Sequence, residues 1–477
     1  MKHYDKCFID GQWVEPRSAR TFELINPASE EVFATVALAS AQDVDLAVVA
    51  ARRAFWDFSQ TTRDERIALL ERIVARFTER EADVAAAITR ELGAPVCLKQ
   101  RTGAAIDAFR QAIKTLRAYE FETRLGDNIV RREPIGVCGL ITAWNWPAQL
   151  LATKVSAALA AGCTVIVKPS EFTPVTAILM TEILHEAGVP KGVVNLVIGD
   201  GPTVGQAICK HPDIDFVSFT GSTRAGILVA EAAAGTVKRV SQELGGKSAN
   251  IILPDADLTA AVRWNVTRAF TNSGQSCHAP TRILVQEAQV DEVVRLLADE
   301  VVKVRVGDPQ DPATLVGPVV NRAQFERVQH YIQVGIDEGA RLVSGGLGRP
   351  EGLLHGYYVR PTVFADVTSQ MTIAQEEIFG PVLAVMSYRD EADAIAIANG
   401  TEYGLGGYIF TRDSARGKDI GARMRAGRIF LNGAPSNTEA PMGGYKRSGN
   451  GREMGVFGLE EYLEVKAMIG FAPSLGA

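Results

Sequence analysis

The 477-residue sequence predicts an α/β protein with a doubly wound parallel sheet. Three observations carry that expectation. Short apolar runs alternate with helical segments from Gly136 to Leu253, a second alternation of the same kind begins after Asp255, and a mostly helical tract from Ala41 to about Tyr119 precedes both. The length implies roughly two to four domains of about 100 to 200 residues. Hydrophobic residues at 47% and charged residues at 22% suit a globular protein with a large core, and a formal net charge of -6 carries no nucleic-acid footprint.

Taken in order, the N-terminal MKHYDKCFIDGQWVE is polar and lacks an apolar signal core, so the expected location is the cytoplasm. Thr62 can cap a long amphipathic helix through Leu92, ended by Gly93 and Pro95, and another helix runs from Leu98 onward. The runs GVCGLIT, TVIVKP, VVNLVIG, DFVSFT and ANIIL read as parallel strands. Between the first two, Leu151, Val155 and Leu159 share one helical face while Lys154 points elsewhere. Beyond Asp255, helices are expected near Leu258 to Phe270, Gln289 to Val302 and Arg322 to Glu338, with strands at RILV, TVFAD, PVLAVMSY and GYIF. Residues Asn128 to Arg132 and the terminal EEYLEVKAMIG alternate apolar and polar side chains outside both regions, which predicts strands that need another edge and hence subunit contacts.

No run of about 18 apolar residues exists. The longest candidate, Ile141 to Val167, is interrupted by Asn145, Gln149 and Lys154, so no membrane span is expected. The cysteines lack CxxC pairs, and Cys7, Cys97, Cys138, Cys163 and Cys209 read as small core residues. The histidines show no HExxH or other metal spacing, so no metal site is expected.

Cys277 differs from the other cysteines because FTNSGQSCHAPTR sets it in a small, flexible turn, where a thiol can act as a nucleophile. Glu243 in ELGGKSAN reads either as a general base, with Gly245 and Gly246 giving its segment freedom to move, or as a helix-end residue before a glycine cap. Asn145 in WNWP reads either as an amide donor to an oxyanion or as part of a pre-helical turn. Adjacent side chains seldom face each other, which argues against a Cys277–His278 dyad. Three strand ends suit a nucleotide. Gly199, Gly201 and Gly205 nearly match the dinucleotide fingerprint, with one residue too many before the last glycine. Gly221 and Ser222 open a helix whose free N–H groups can meet a pyrophosphate, and Lys168 and Glu171 can grip ribose hydroxyls.

In this order and spacing WNWP, KPSE, FTGS, ELGGKS, GQSC, EEIFGPV and APMGGYKRSGNGREMG resemble the aldehyde dehydrogenase superfamily, its hydrolytic, non-acylating branch, over nearly the whole chain. The resemblance implies a Rossmann-like NAD-binding domain over residues 1–118 and 136–246, a catalytic α/β domain over 247–445, and a small strand-built oligomerisation region over 119–135 and 458–477. It implies Cys277 as nucleophile, Glu243 as base and Asn145 as oxyanion donor. Around NAD it implies Ile141, Thr142, Trp144, Lys168 and Glu171; Gly201, Gly205, Phe219, Gly221, Ser222 and Leu244; and Gln324, Glu377 and Phe379. Lys154 and Glu453 match positions of a proton relay. Glu171 favours NAD over NADP, because a carboxylate repels a 2′-phosphate. The presence of Glu243 favours water as acyl acceptor. Thr153, Thr267, Thr271, Ser436 and Met442 stand where several relatives carry aromatic residues, which implies a wider, more polar funnel for bulky or functionalised aldehydes. Arg268 reads either as an outward-facing helix residue or as a partner for a substrate carboxylate. The implied assembly is a homodimer or homotetramer. The alternatives in function are a cofactor-independent cysteine esterase and a semialdehyde-specific member of the same family.

Overall fold

The computed structural model describes residues 2–472. Among them the chain forms two seven-stranded sheets, two three-stranded sheets and one two-stranded ladder. In the first large sheet, strands Arg239–Glu243, Phe216–Thr220, Val137–Ile141, Thr164–Lys168 and Val194–Leu196 lie side by side and parallel. The antiparallel strands Cys7–Ile9 and Gln12–Val14 extend it. The inner strands are buried along their whole length, which is why they read as unbroken apolar runs rather than as alternating ones.

The helix Pro147–Ala161 shows what these runs do. Proline at its first turn and Gly162 in the left-handed region at its end define its length. Leu151, Val155 and Leu159 join the core, and Lys154 is buried as well, held by an ion pair described below. Residues Thr62 to Leu92 form two helices, not one. Thr62 makes the expected capping box with Glu65, but the first helix stops at Glu79 and the second starts at Glu81. Between them Arg80 reaches Asp83, Glu182 and Glu186, and these pairs hold the chain at a bend that periodicity alone does not reveal.

The second large sheet runs Arg341–Ser344, Thr362–Ala365, Val382–Tyr388, Arg282–Gln286, Ala249–Ile252, Gly406–Phe410, Arg428–Leu431, parallel except at the first strand. The ANIIL strand, grouped by its alternation with the preceding runs, pairs here instead, between Arg282–Gln286 and Gly406–Phe410. The glycine-rich link after Glu243 therefore crosses from one sheet to the other.

Asn128–Pro134 and Leu463–Met468 satisfy each other, pairing antiparallel within the chain, with Glu122–Leu125 on the other side of Asn128–Pro134. Residues 473–477 of the expected oligomerisation region lie outside the described residues. All six cysteines are free; Cys97 is exposed rather than in the core, because it lies in the link between helices Glu81–Leu92 and Gln100–Ala118, where the thiol donates to Thr314 O. No described helix is long and apolar enough to cross a membrane.

Candidate active site

Strand register places the first set of residues. Ile141 pairs with Lys168 on one side and Phe219 on the other, and Thr220 pairs with Glu243, so four parallel strands end in one row at their carboxyl edge. A cleft of about 490 Å³ opens there, reached by Asn145, Glu243, Cys277, Glu377 and Phe379. Glu243 ends an edge strand rather than a helix, so its alternative reading as a helix-end residue falls away.

Cys277 lies just before the strand Arg282–Gln286, on a loop with unusual backbone. Asn272, Ser273 and Gly274 all have positive φ, and a side chain at Gly274 would meet the Gly380 carbonyl carbon at 2.3 Å. Two non-glycine residues in the left-handed region cost on the order of 1 kcal/mol or more each, so the loop needs ties to hold it. It has them: Asn272 Nδ2 donates to Asn145 O, Ser273 Oγ to Gly317 O, and Gln275 Oε1 accepts from Val320 N. Asn145 Nδ2 donates in turn to Gln275 O at 3.1 Å, leaving the second amide hydrogen for another acceptor. Trp146 Nε1 donates to Ser276 Oγ. The amide and the thiol are thus mounted on each other's loops.

Gly245 and Gly246 act through closeness. A Cβ on Gly245 would stand 2.2 Å from the Glu377 carboxylate, and one on Gly246 would stand 2.5 Å from the Cys277 carbonyl oxygen. Their small size, more than any freedom to move, brings Glu243 beside Cys277. Neither Glu243 oxygen has a hydrogen-bond partner among the described residues, and burial with the nearby Glu453 charge holds its carboxyl well above the usual range. Behind it Lys154 Nζ donates to Glu453 Oε1 at 2.6 Å and to Ser218 Oγ at 2.8 Å. Burial, with Glu377 and Glu243, pushes the Cys277 thiol up to about 12. Burial pushes Glu377 up to about 7, against the pull of the Gly246 N–H on its Oε1.

The edge fits a dinucleotide. Ser222 Oγ accepts from Ala225 N and opens the twelve-residue helix Thr223–Ala234, while a Cβ on Gly221 would strike the Phe219 ring at 2.5 Å, so the backbone can lie open only with glycine there. Leu244 packs against Gly226 in that helix's first turn. Lys168 Nζ lies 3.5 Å from Glu171 Oε2, and Gly205 adjoins the Lys168 stem. The extra residue in the glycine fingerprint is absorbed by a single π-helical turn, Gly201–Gly205, capped by Asp200. Thr142 N donates to Lys168 O. Trp144 meets Phe379 edge to face at 5.3 Å, and Phe379, itself at φ 61°, is held by Gln324 Nε2 on its carbonyl oxygen. Ile141 and Phe219 are buried in the sheet, beneath the row rather than on its surface.

Of the funnel threonines, Thr153 lines the cleft, as does Met442. Thr267 and Thr271 are not among the residues that line the cleft, and their hydroxyls donate to the Arg263 and Thr267 carbonyls, so they do not give the cleft the polarity that the sequence implies. Arg268 is not outward-facing: it contacts His278, whose ring also meets Cys277. Sequence reasoning missed Arg327 and Tyr403 on the cleft wall. Arg327 stands one turn beyond Gln324 and was findable by helical spacing; Tyr403 comes from the distant two-residue strand Tyr403–Gly404, with no such signal.

Comparison with known proteins agrees with this geometry. The model of the aldehyde dehydrogenase family matches residues 13–468. A 3-succinoylsemialdehyde-pyridine dehydrogenase from a Pseudomonas species is 51% identical over 99% of this chain and 100% of its own. Aldehyde dehydrogenase C of Pseudomonas syringae, solved as a Cys-to-Ala variant with NAD+ and octanal, superposes with a TM-score of 0.98 at 51% identity, over 98% of this chain and 97% of its own. A Mycobacterium tuberculosis aldehyde dehydrogenase solved with NAD+ gives 0.96 at 42% identity, over 98% of both chains. The chain belongs to the aldehyde dehydrogenase family, and it is an oxidoreductase that oxidises an aldehyde with NAD as cofactor.

Proposed function

We propose that this enzyme converts aldehydes with long or bulky tails to carboxylic acids, with Cys277 as nucleophile, Asn145 as oxyanion donor and Glu243 as base. The observation that carries the reading is the convergence of these three side chains in one cleft at the strand ends. Cys277 attacks the aldehyde carbon as its thiolate, and the free Asn145 amide hydrogen with the Cys277 backbone N–H receives the oxyanion. The chemistry that NAD supplies when bound is hydride acceptance, which leaves a thioester on Cys277. Glu243 takes a proton from water as that water attacks the thioester, and the acid leaves with the thiolate restored.

Lys168 and Glu171 would hold the adenine ribose, Gly221 and Ser222 the pyrophosphate, Gly201 and Gly205 the adenine side, and Glu377 with Phe379 the nicotinamide end. Trp144, Leu244 and Gln324 would shape the walls between, with Ile141, Thr142 and Phe219 supporting them from beneath. In this reading residues 1–118 and 136–246 are the NAD-binding domain and 247–445 the catalytic domain. Residues 119–135 and 458–477 join subunits of a cytoplasmic dimer or tetramer, supported by the exposed Val465 and Ile469 at that sheet's edge. Light scattering on the purified enzyme tests the assembly.

The substrate class is supported by Thr153, which lines both the catalytic cleft and a narrow apolar cavity between helices Pro147–Ala161 and Gln100–Ala118. It is supported also by the aldehydes named for the two relatives at 51% identity. An aldehyde panel read by NADH formation, repeated with NADP, tests it. Turnover of acetaldehyde equal to that of octanal would overturn the substrate class. NADH formation surviving in Cys277→Ala would overturn the nucleophile.

A further inference from the structure

His278 and Arg268 stand beside the nucleophile, and the mechanism above uses neither. Arg268 lies in the last turn of the helix Leu258–Phe270, and its Nη2 meets His278 Nε2. The other ring nitrogen, Nδ1, lies 3.7 Å from Cys277 Sγ. The residue is held at its other end too, because Tyr408 Oη donates to the His278 carbonyl oxygen at 2.6 Å and the Tyr408 ring stacks on Phe430.

Proton bookkeeping settles the direction of both contacts. A guanidinium keeps its hydrogens at any working pH and has no lone pair to offer, so Arg268 donates and Nε2 accepts. A neutral imidazole carries one N–H and one lone pair. With Nε2 accepting, the hydrogen is on Nδ1, the nitrogen that faces sulfur. The ring remains neutral, since burial and the positive charges of Arg268 and Arg428 hold His278 well below its ordinary range.

We infer that His278 is a fixed N–H donor to the Cys277 sulfur and that Arg268 is the positioning residue that selects the required tautomer. The inference rests on Cys277 being the nucleophile. It also means that His278 does not take the thiol proton, which separates this pair from a cysteine hydrolase dyad: its only exchangeable hydrogen already points at sulfur. The donor acts where it is needed. Burial, Glu377, Glu243 and Glu453 all oppose the thiolate, while Arg268, Arg428 and the Tyr408 hydroxyl lie on the histidine side.

Two measurements on the full-length enzyme test it. With ¹⁵N-labelled histidine, the His278 resonances, assigned by their loss in His278→Asn, should report the Nδ1–H tautomer at neutral pH. In Arg268→Met they should move toward the Nε2–H form. An Nε2–H tautomer in the wild type overturns the proposal. Alkylation of Cys277 by iodoacetamide without NAD, followed by peptide mass mapping against pH, is the second. His278→Leu should shift the profile up by about one unit, a roughly tenfold slower reaction below it, and His278→Asn, which keeps an amide N–H, should restore most of the rate. An unchanged profile in His278→Leu overturns the proposal. Failure of the nucleophile reading is distinguishable, since it would show as NADH formation in Cys277→Ala whatever the tautomer.

Discussion

Lys154 and Glu453 form a buried ion pair, Nζ to Oε1 2.6 Å, and the Glu453 charge acts on the carboxyl of Glu243. The pair joins a helix of the first sheet to the C-terminal segment, 299 residues apart in the chain. After burial, it is the nearest influence on the protonation of the base.

The sign follows from the charges. Glu243 works as a base only when deprotonated, and its carboxyl is held above the usual range by burial and then by Glu453, with Lys154 opposing. Glu453→Gln removes a negative neighbour and frees a positive one, so both changes lower the Glu243 value. The acid limb of kcat against pH should move down by on the order of one unit when deacylation limits turnover. Glu243→Gln should abolish the limb. A limb that moves up in Glu453→Gln would contradict this coupling.

Asn145→Ala removes the amide hydrogen aimed into the cleft and the tie from Nδ2 to Gln275 O. The expected loss in kcat is about 10²- to 10³-fold, with a small change in KM for NAD, because the donor matters most when the oxyanion forms. Steady-state kinetics at saturating NAD check it. A loss confined to KM for the aldehyde would show ordinary ground-state binding instead.

Glu171 lies beside Lys168 at the expected ribose end of the cleft. Glu171→Gln removes the charge that repels a 2′-phosphate and leaves Lys168 free to meet it. The ratio of kcat/KM for NADP to that for NAD should rise about tenfold, or ~1.4 kcal/mol. An unchanged ratio would place the ribose elsewhere.

Glu91 caps a helix from the side. Its buried carboxyl accepts from Val175 N, Thr176 N and Thr176 Oγ at the start of Pro174–Glu186. Glu91→Ala strands these donors and should destabilise the fold by about 1 to 3 kcal/mol in urea unfolding. Thr176→Val, which removes one donor with one acceptor contact, should cost less.

Much of this protein was legible before folding because its signals are local. Central parallel strands are buried on both faces, so GVCGLIT and TVIVKP must be apolar throughout, and a glycine-rich turn must follow a strand that meets a nucleotide. The strand Arg239–Glu243 was not legible. It lies at a sheet edge, and RVSQE has neither an apolar run nor a clean alternation. The break at Arg80 was hidden for another reason: its ion pairs reach Glu182 and Glu186, about a hundred residues away.

The sequence by itself determined the α/β class, the order of the strands along the chain and the chemistry available at Asn145, Glu243 and Cys277. Only the tertiary structure decided which strands share a sheet, that Gly246 lies against the Cys277 carbonyl, and that adjacent Cys277 and His278 face each other. The physical reason is that composition and period are properties of neighbouring residues, whereas tautomer, carboxyl ionisation and close backbone approach depend on groups that meet only when distant segments pack.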